Sequence, residues 1–229
     1  IPQLYIYSQI LVASDGYETK YGSPTSDWER FFVWEGILSD NDLKVEEIGE
    51  GFYRYFYKGK ELTSLEVLIM GLFRKENLLE FLRDFVAYGD EPPKGKVKKI
   101  ARHMQWRAVR NAFQSAQKAR QRGDGKGGTI WHWQGSGKTL TMLWLTLKLR
   151  REFNNPCIII LTDRRELDNQ IKRVLSHHGF PNPYHATSVK HLKELLEYPT
   201  GKTILVTLQK LGSKVLSETG ETEHLSEEK

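Results

Sequence analysis

A chain of 229 residues, 39% of them hydrophobic, is long enough for one large domain or two modest ones, each able to bury its own core. Its net charge of +5 points to an anionic partner. The opening has no basic segment followed by an apolar one, and no run is long enough to cross a bilayer, so neither secretion nor membrane insertion is supported and a cytoplasmic protein is expected.

In chain order, residues 1–60 read as short strands broken by turns: Leu4 to Ala13, the turn Ser14-Asp15-Gly16, and the aromatic-rich stretches Trp28 to Trp34 and Phe52 to Tyr57. Because the chain starts at Ile1 and Leu4-Tyr5-Ile6-Tyr7 already alternates, it is expected to be an excerpt of a longer protein. Ser64 is the expected N-cap of a first helix, with Leu65, Leu68, Ile69 and Leu72 on one face; Leu78, Leu79, Leu82 and Phe85 repeat the pattern in a second. The stretch Gly89-Asp90-Glu91-Pro92-Pro93-Lys94-Gly95 breaks that periodicity with turn-forming residues. Residues 89–97 are therefore the expected linker between a unit at 1–88 and a second at 98–229.

Beyond the linker a basic helix is expected from about Val97 to Arg120, with Ile100, Met104, Ala108, Ala112 and Ala116 inward, ended by the Gly-rich stretch Gly123 to Gly128. Strand and helix then alternate: strand Thr129 to Trp133, helix Lys138 to Arg151, strand Cys157 to Thr162, helices Arg165 to His177 and Val189 to Leu196, and strand Thr203 to Thr207. Short apolar runs of this kind suit strands buried on both faces of a parallel α/β sheet. Cys157, the single cysteine, sits before Ile158-Ile159-Ile160 and reads as a small buried hydrophobe that cannot form an internal disulfide. The tail Ser217 to Lys229 is acidic and polar, and reads as loop or disorder. The most basic segment comprises Lys94, Lys96, Lys98, Lys99, Arg102, Arg107 and Arg110, followed by Lys118, Arg120, Arg122 and Lys126. On charge alone it is either a phosphate-facing surface or a solvated helix face.

The strongest signal is Gly135-Ser136-Gly137-Lys138-Thr139 between an expected strand and an expected helix. A strand, a tight glycine turn and a helix gather backbone N–H groups and a helix N-terminus around one point, which is what a polyphosphate needs. Gly135 and Gly137 let the backbone curl without a Cβ in the way, Lys138 reaches the β- and γ-phosphates, and the Thr139 hydroxyl is placed to ligate Mg²⁺. ATP with Mg²⁺ is thus the expected cofactor, bound by Gln134, Gly135, Ser136, Gly137, Lys138, Thr139 and Leu140. The general pattern has a glycine where this chain has His132.

Several segments together resemble the motor-nuclease subunit of type I restriction enzymes, whose translocase is a superfamily-two helicase. Ile1-Pro2-Gln3-Leu4, Ser14-Asp15-Gly16 and Trp28 to Trp34 look like strands closing that family's nuclease domain. The helical runs Leu65 to Ile69 and Leu82 to Phe85 look like its connecting helices, and Ile130 to Met142 looks like its motif I, where a start other than glycine is usual. The resemblance covers nearly the whole chain. It implies a strand-rich C-terminal part of a restriction-nuclease-like domain followed by a partial RecA-like parallel-sheet P-loop domain.

The resemblance also implies that the Gln105 amide pairs with adenine. It makes Thr162-Asp163-Arg164 with Leu167 to Gln170 motif Ia, and Thr207-Leu208-Gln209-Lys210 motif Ib, with Thr162, Asp163, Arg164, Thr207, Gln209 and Lys210 along double-stranded DNA. Its implied partners are the modification and specificity subunits of one restriction complex. The Asp-Glu box and the arginine needed for ATP hydrolysis are expected after Lys229, and the nuclease residues before Ile1.

Two patterns inside the first unit imitate that nuclease centre. Asp15-Gly16-Tyr17-Glu18-Thr19-Lys20 has the residue types of its metal site, but across a turn, where two carboxylates do not readily share one ion. Gln3 and Tyr7 fit a second motif that the family carries on a helix, whereas these residues alternate as a strand. Asp15 to Lys20 therefore reads as a turn, and His177, His178, His185 and His191, without regular ligand spacing or a partnering cysteine, are not expected to form a zinc site. The leading expectation is an ATP-binding, DNA-translocating and DNA-cleaving subunit. A stand-alone superfamily-two translocase, or a non-catalytic nucleotide- or DNA-binding module, remains an alternative.

Overall fold

The computed structural model describes residues 3–5, 7–37, 43–49, 52–91, 93, 95–163, 165–178 and 183–208. The expected tail 217–229, together with Arg164, Gln209 and Lys210, lies outside them. The chain is mixed α/β with several small sheets, and packs as two units that divide between Leu145 and Thr146. Among the described residues no helix is long and apolar enough to cross a membrane.

The first unit opens with a short 3₁₀ turn, Gln3–Tyr5, then β1 (Leu11–Ser14), β2 (Thr19–Gly22) and β3 (Phe32–Val33) in one antiparallel sheet. The strand expected over Leu4 to Ala13 is therefore confined to its end. Among the described residues of that stretch the ladder partners are those of Leu11–Ser14, opposite Thr19–Gly22, and alternation without a partner does not make a strand. Likewise Trp28–Arg30 is a 3₁₀ turn, leaving Phe32–Val33 as the strand.

A second antiparallel sheet holds β4 (Leu43–Gly49), β5 (Phe52–Tyr57) and β6 (Lys60–Glu61). Helix α1 (Ser64–Gly71) is capped by Thr63 rather than Ser64: the Thr63 hydroxyl accepts the Glu66 N–H while Glu66 accepts the Thr63 N–H at 2.8 Å. Ser64 instead binds β2, its Oγ accepting the Thr19 N–H at 3.0 Å. The inward residues of α1 are Val67, Leu68 and Gly71, with Leu72 just beyond; Leu65 and Ile69, expected on that face, are exposed. Helix α2 (Lys75–Asp84) buries Asn77, Phe81 and Asp84, followed by Phe85, while Leu79 faces solvent. This face differs from the leucine pattern because Asn77 is drawn in by a bond from its amide to the Gly71 carbonyl at 2.6 Å.

The stretch expected as a linker is a hairpin, with β7 (Val86–Glu91) and β8 (Gly95–Ile100) in register from Val86↔Ile100 to Glu91↔Gly95. Turn-forming residues serve a hairpin tip as well as a boundary, and composition alone does not separate the two. Because Val97 to Ile100 is engaged in this ladder, the basic helix α3 starts at His103 and runs to Arg122. It ends at Gly123, whose φ of 69° is the left-handed cap that favours glycine. Its buried face is His103, Gln105, Trp106, Ala108, Val109, Phe113 and Ala119, so Met104, Ala112 and Ala116 are not at its centre.

The core gathers on Trp34, whose ring meets Tyr21, Phe81, His103 and Trp106 at centroid distances of 5.6, 6.0, 4.8 and 5.0 Å. It ties the first sheet, α2 and α3 into one body. The buried Tyr21 hydroxyl donates to the Ala101 carbonyl at 2.8 Å, and Ser23 Oγ to the Lys98 carbonyl at 2.6 Å, locking β2 and the turn after it to the end of the hairpin. Residues 124–137 follow as an irregular segment, and α4 (Lys138–Glu152) leaves it. The expected strand Thr129 to Trp133 is not assigned; the described residues give it no ladder partner, and Ile130, Trp131 and Trp133 are exposed.

In the second unit β9 (Ile158–Thr162), β10 (Tyr184–His185) and β11 (Thr203–Thr207) form a parallel sheet in the order β10-β11-β9, with α5 (Arg165–His177) and α6 (Val189–Glu197) as connections. The central β11 is buried along its whole length, as expected for a doubly covered strand. The outer β9 is not: Ile159 and Leu161 are half exposed. Strand β10 is too short for its pattern to stand out in the sequence.

Candidate nucleotide-binding site

The segment 132–140 forms a tight loop leading into α4. Gly135 and Gly137 have φ of 80° and 83°, values that favour glycine. Leu140 and Thr141 both donate their N–H to the Gly137 carbonyl, at 3.0 and 3.1 Å, closing the first turn of the helix. The Lys138 ammonium folds back over the loop, donating to the carbonyls of His132 at 2.9 Å and Trp133 at 2.7 Å. It is thus exposed and held against the loop's own carbonyl oxygens. Ser136 is fully buried, and its Oγ has no hydrogen-bond partner. The chemistry fits a polyphosphate: a lysine, a helix N-terminus and a glycine-permitted backbone with no carboxylate in the loop.

Gln105 is brought to this loop, but in a different way from the one expected. It is 3% exposed, and its Nε2 donates to the carbonyls of Ser136 at 3.1 Å and Gly137 at 3.2 Å. Its Oε1 accepts the Arg102 N–H at 2.9 Å. Both ends of the amide therefore hold backbone in this conformation rather than presenting an edge to a base. A Cβ on Gly137 would come within 2.5 Å of the Gln105 nitrogen, so that glycine also makes room for the strut.

Beside the loop opens a cavity of about 290 Å³ lined by Arg30, Phe32, Lys99, Arg102, Gln105 and Ser136, among others. The Arg102 guanidinium lies 4.2 Å from the Phe32 ring centre. Burial, and then Arg30 against Tyr21's opposing effect, lowers the Arg102 pKa from its ordinary value. Arg30 and Phe32 come from the first sheet's approach, far from the loop in sequence, and no local motif marks them.

Comparison with known proteins extends the likeness over most of the chain. Residues 104–229 match the SWI2/SNF2 ATPase family. The MjaIXP type I restriction enzyme endonuclease subunit of Methanocaldococcus jannaschii is 47% identical over 93% of the chain. This chain belongs to the SWI2/SNF2 ATPase family, and over most of its length it is similar to type I restriction enzyme endonuclease subunits. The HindI endonuclease subunit of Haemophilus influenzae is 35% identical over 77% of the chain, and the MjaVIIIP subunit of M. jannaschii is 35% identical over 70%. The chain spans 20%, 16% and 17% of the lengths of these three relatives.

In this chain the loop residues Gln134, Gly135, Ser136, Gly137, Lys138, Thr139 and Leu140 are contiguous, with Gln105 bonded to Ser136 and Gly137. The segments likened to motifs Ia and Ib meet in the second unit: Thr162 and Thr207 are paired at the carboxyl ends of β9 and β11, where open α/β sheets present ligand-contacting residues. Both are buried, at 4% and 1%, and the Thr162 hydroxyl donates to the Val206 carbonyl, so Asp163 is the exposed member of the described set. Asp15 belongs to the β1–β2 turn: its Oδ1 accepts the N–H groups of Tyr17 and Glu18, both at 2.9 Å, and these bonds lower its pKa. Gln3, excluded from a helix by its alternation with neighbours, does lie on a 3₁₀ turn.

Proposed function

We propose that the chain carries the phosphate-binding first part of a RecA-like motor preceded by the end of a nuclease-like domain, the two meeting in sequence near residues 89–97, at the hairpin inside the first packed unit. In the intact protein this motor would bind ATP with Mg²⁺, move double-stranded DNA and lead to its cleavage, working in the cytoplasm with modification and specificity subunits. The observation that carries the reading is the 132–140 loop, whose glycines at 135 and 137 have positive φ and over which Lys138 folds back onto the carbonyls of His132 and Trp133. Lys138 would hold the β- and γ-phosphates and Thr139 the Mg²⁺; the metal would supply charge neutralisation there, and the protein's own part is to orient the phosphates. The cavity at Arg30, Phe32 and Arg102 supports a place for the base and sugar beside the loop. Asp163 with Arg164, Gln209 and Lys210, and the hydroxyls of Thr162 and Thr207 after a local opening, would follow the DNA backbone.

The family match from residue 104 onward would by itself fit a stand-alone translocase. Similarity to the endonuclease subunit over 93% of the chain, and so upstream of residue 104 as well, favours the restriction subunit. The test is Lys138→Ala in the full-length protein: ATP-dependent displacement of a triplex-forming strand is expected to vanish, and undiminished displacement would refute the motor reading.

A further inference from the structure

His132 stands at the first position of the phosphate loop, where the general pattern has glycine. Its carbonyl is one of the two that hold the Lys138 ammonium, and its ring Nδ1 is buried with no hydrogen-bond partner. A buried ring nitrogen in that condition is costly until a ligand atom gives it a partner.

Burial, and then the field of Lys138, holds the His132 pKa below the ordinary histidine value, so the ring is neutral near pH 7. Lys138 is the charged side chain whose field reaches the ring among the described residues. Arrival of a triphosphate reverses that balance. Lys138 exchanges the His132 and Trp133 carbonyls for phosphate oxygens, and several negative charges come to rest beside the imidazole.

We propose that His132 is a positioning residue of the nucleotide site, its imidazole taking up one proton from solvent as the triphosphate binds and so adding a second cation beside Lys138. With the proton both ring nitrogens are donors, so the unpartnered one can donate to a phosphate oxygen, and the positive charge offsets the phosphate charge. The proposal rests on nucleotide binding at this loop. It makes affinity for the triphosphate depend on pH through a residue outside the part of the loop that wraps the phosphates.

The experiment is calorimetric titration of the chain with a non-hydrolysable, magnesium-saturated ATP analogue in buffers of different ionisation enthalpy, between about pH 6 and pH 8. Magnesium keeps the last ionisation of the triphosphate itself out of that range. Wild-type protein is expected to take up a proton on binding, and its affinity to fall by up to ~10-fold per pH unit as pH rises. His132→Gln, and His132→Gly as a second variant with the general loop residue, are expected to bind without proton uptake and with a flat pH profile. Binding by the wild type with no proton exchange, or uptake that persists in both variants, would overturn the proposal. So would variants that lose affinity equally at every pH, the signature of a packing role. Failure of the wild type to bind at any pH would instead overturn the nucleotide reading, and the proposal with it.

Discussion

Replacing Gln105 by alanine separates a structural strut from a reader of adenine. The side chain makes three hydrogen bonds, to the carbonyls of Ser136 and Gly137 and from the Arg102 N–H, at 3.1, 3.2 and 2.9 Å. The Gly137 carbonyl keeps the Leu140 and Thr141 N–H groups, so the Ser136 carbonyl and the Arg102 N–H are the groups that lose this partner, at a cost of about 1–3 kcal/mol each when buried. Because the adjoining cavity admits water to some of them, the sum for Gln105→Ala is about 2–4 kcal/mol. Urea unfolding of the two proteins measures that difference. Nucleotide titration adds the decisive contrast: a strut that shapes the loop weakens ATP and GTP alike, whereas an adenine reader weakens ATP and leaves GTP unchanged. Unfolding within about 0.5 kcal/mol of wild type, together with an ATP-selective loss of affinity, would refute the strut.

Two further outcomes follow from buried ionisable groups. His103 is 8% exposed, and burial, then Arg107, lowers its pKa from 6.5 to about 4. The unfolded chain therefore binds the proton first: His103 favours the fold fully above pH 6.5 and that contribution is lost as pH falls towards 4. Its full size is about 3 kcal/mol, so the difference in unfolding free energy between wild type and His103→Gln is expected to shrink over that window, and a constant difference would contradict the assignment. In the second unit the Asp168 carboxylate, 3% exposed, pairs with His185, itself 33% exposed. His185→Leu leaves that carboxylate unpaired; with the pair partly open to solvent the expected loss is about 1–3 kcal/mol in urea unfolding, and a change below about 0.5 kcal/mol would argue against the pair.

The elements read most clearly from sequence are those whose residues supply their own reason for being there. Helix α5 spans Arg165–His177 as its amphipathic period indicates, β11 is a short apolar run buried throughout, and Gly135 and Gly137 sit where the backbone requires positive φ. What was hidden depends on partners distant in sequence. Pro92-Pro93 with its flanking glycines suits a linker or a hairpin equally until β7 finds β8, and that pairing also moves the start of α3 to His103. The inward turn of His103 and Gln105 overrides an apolar pattern, because one packs on Trp34 and the other bonds a loop more than two dozen positions away. Residues 129–133 have the composition of a strand, yet a strand exists only with a neighbour. Arg30 and Phe32 reach the phosphate loop's cavity through the fold of the first sheet, which no local spacing reveals.

The most direct test of nucleotide binding is a titration of the chain with magnesium-ATP, followed through the fluorescence of Trp133, which is 57% exposed and whose carbonyl holds Lys138. Saturable binding that weakens by at least ~10-fold in Lys138→Ala is the predicted result, reflecting loss of a charge-assisted contact to phosphate. Equal affinity in the two proteins would contradict the account.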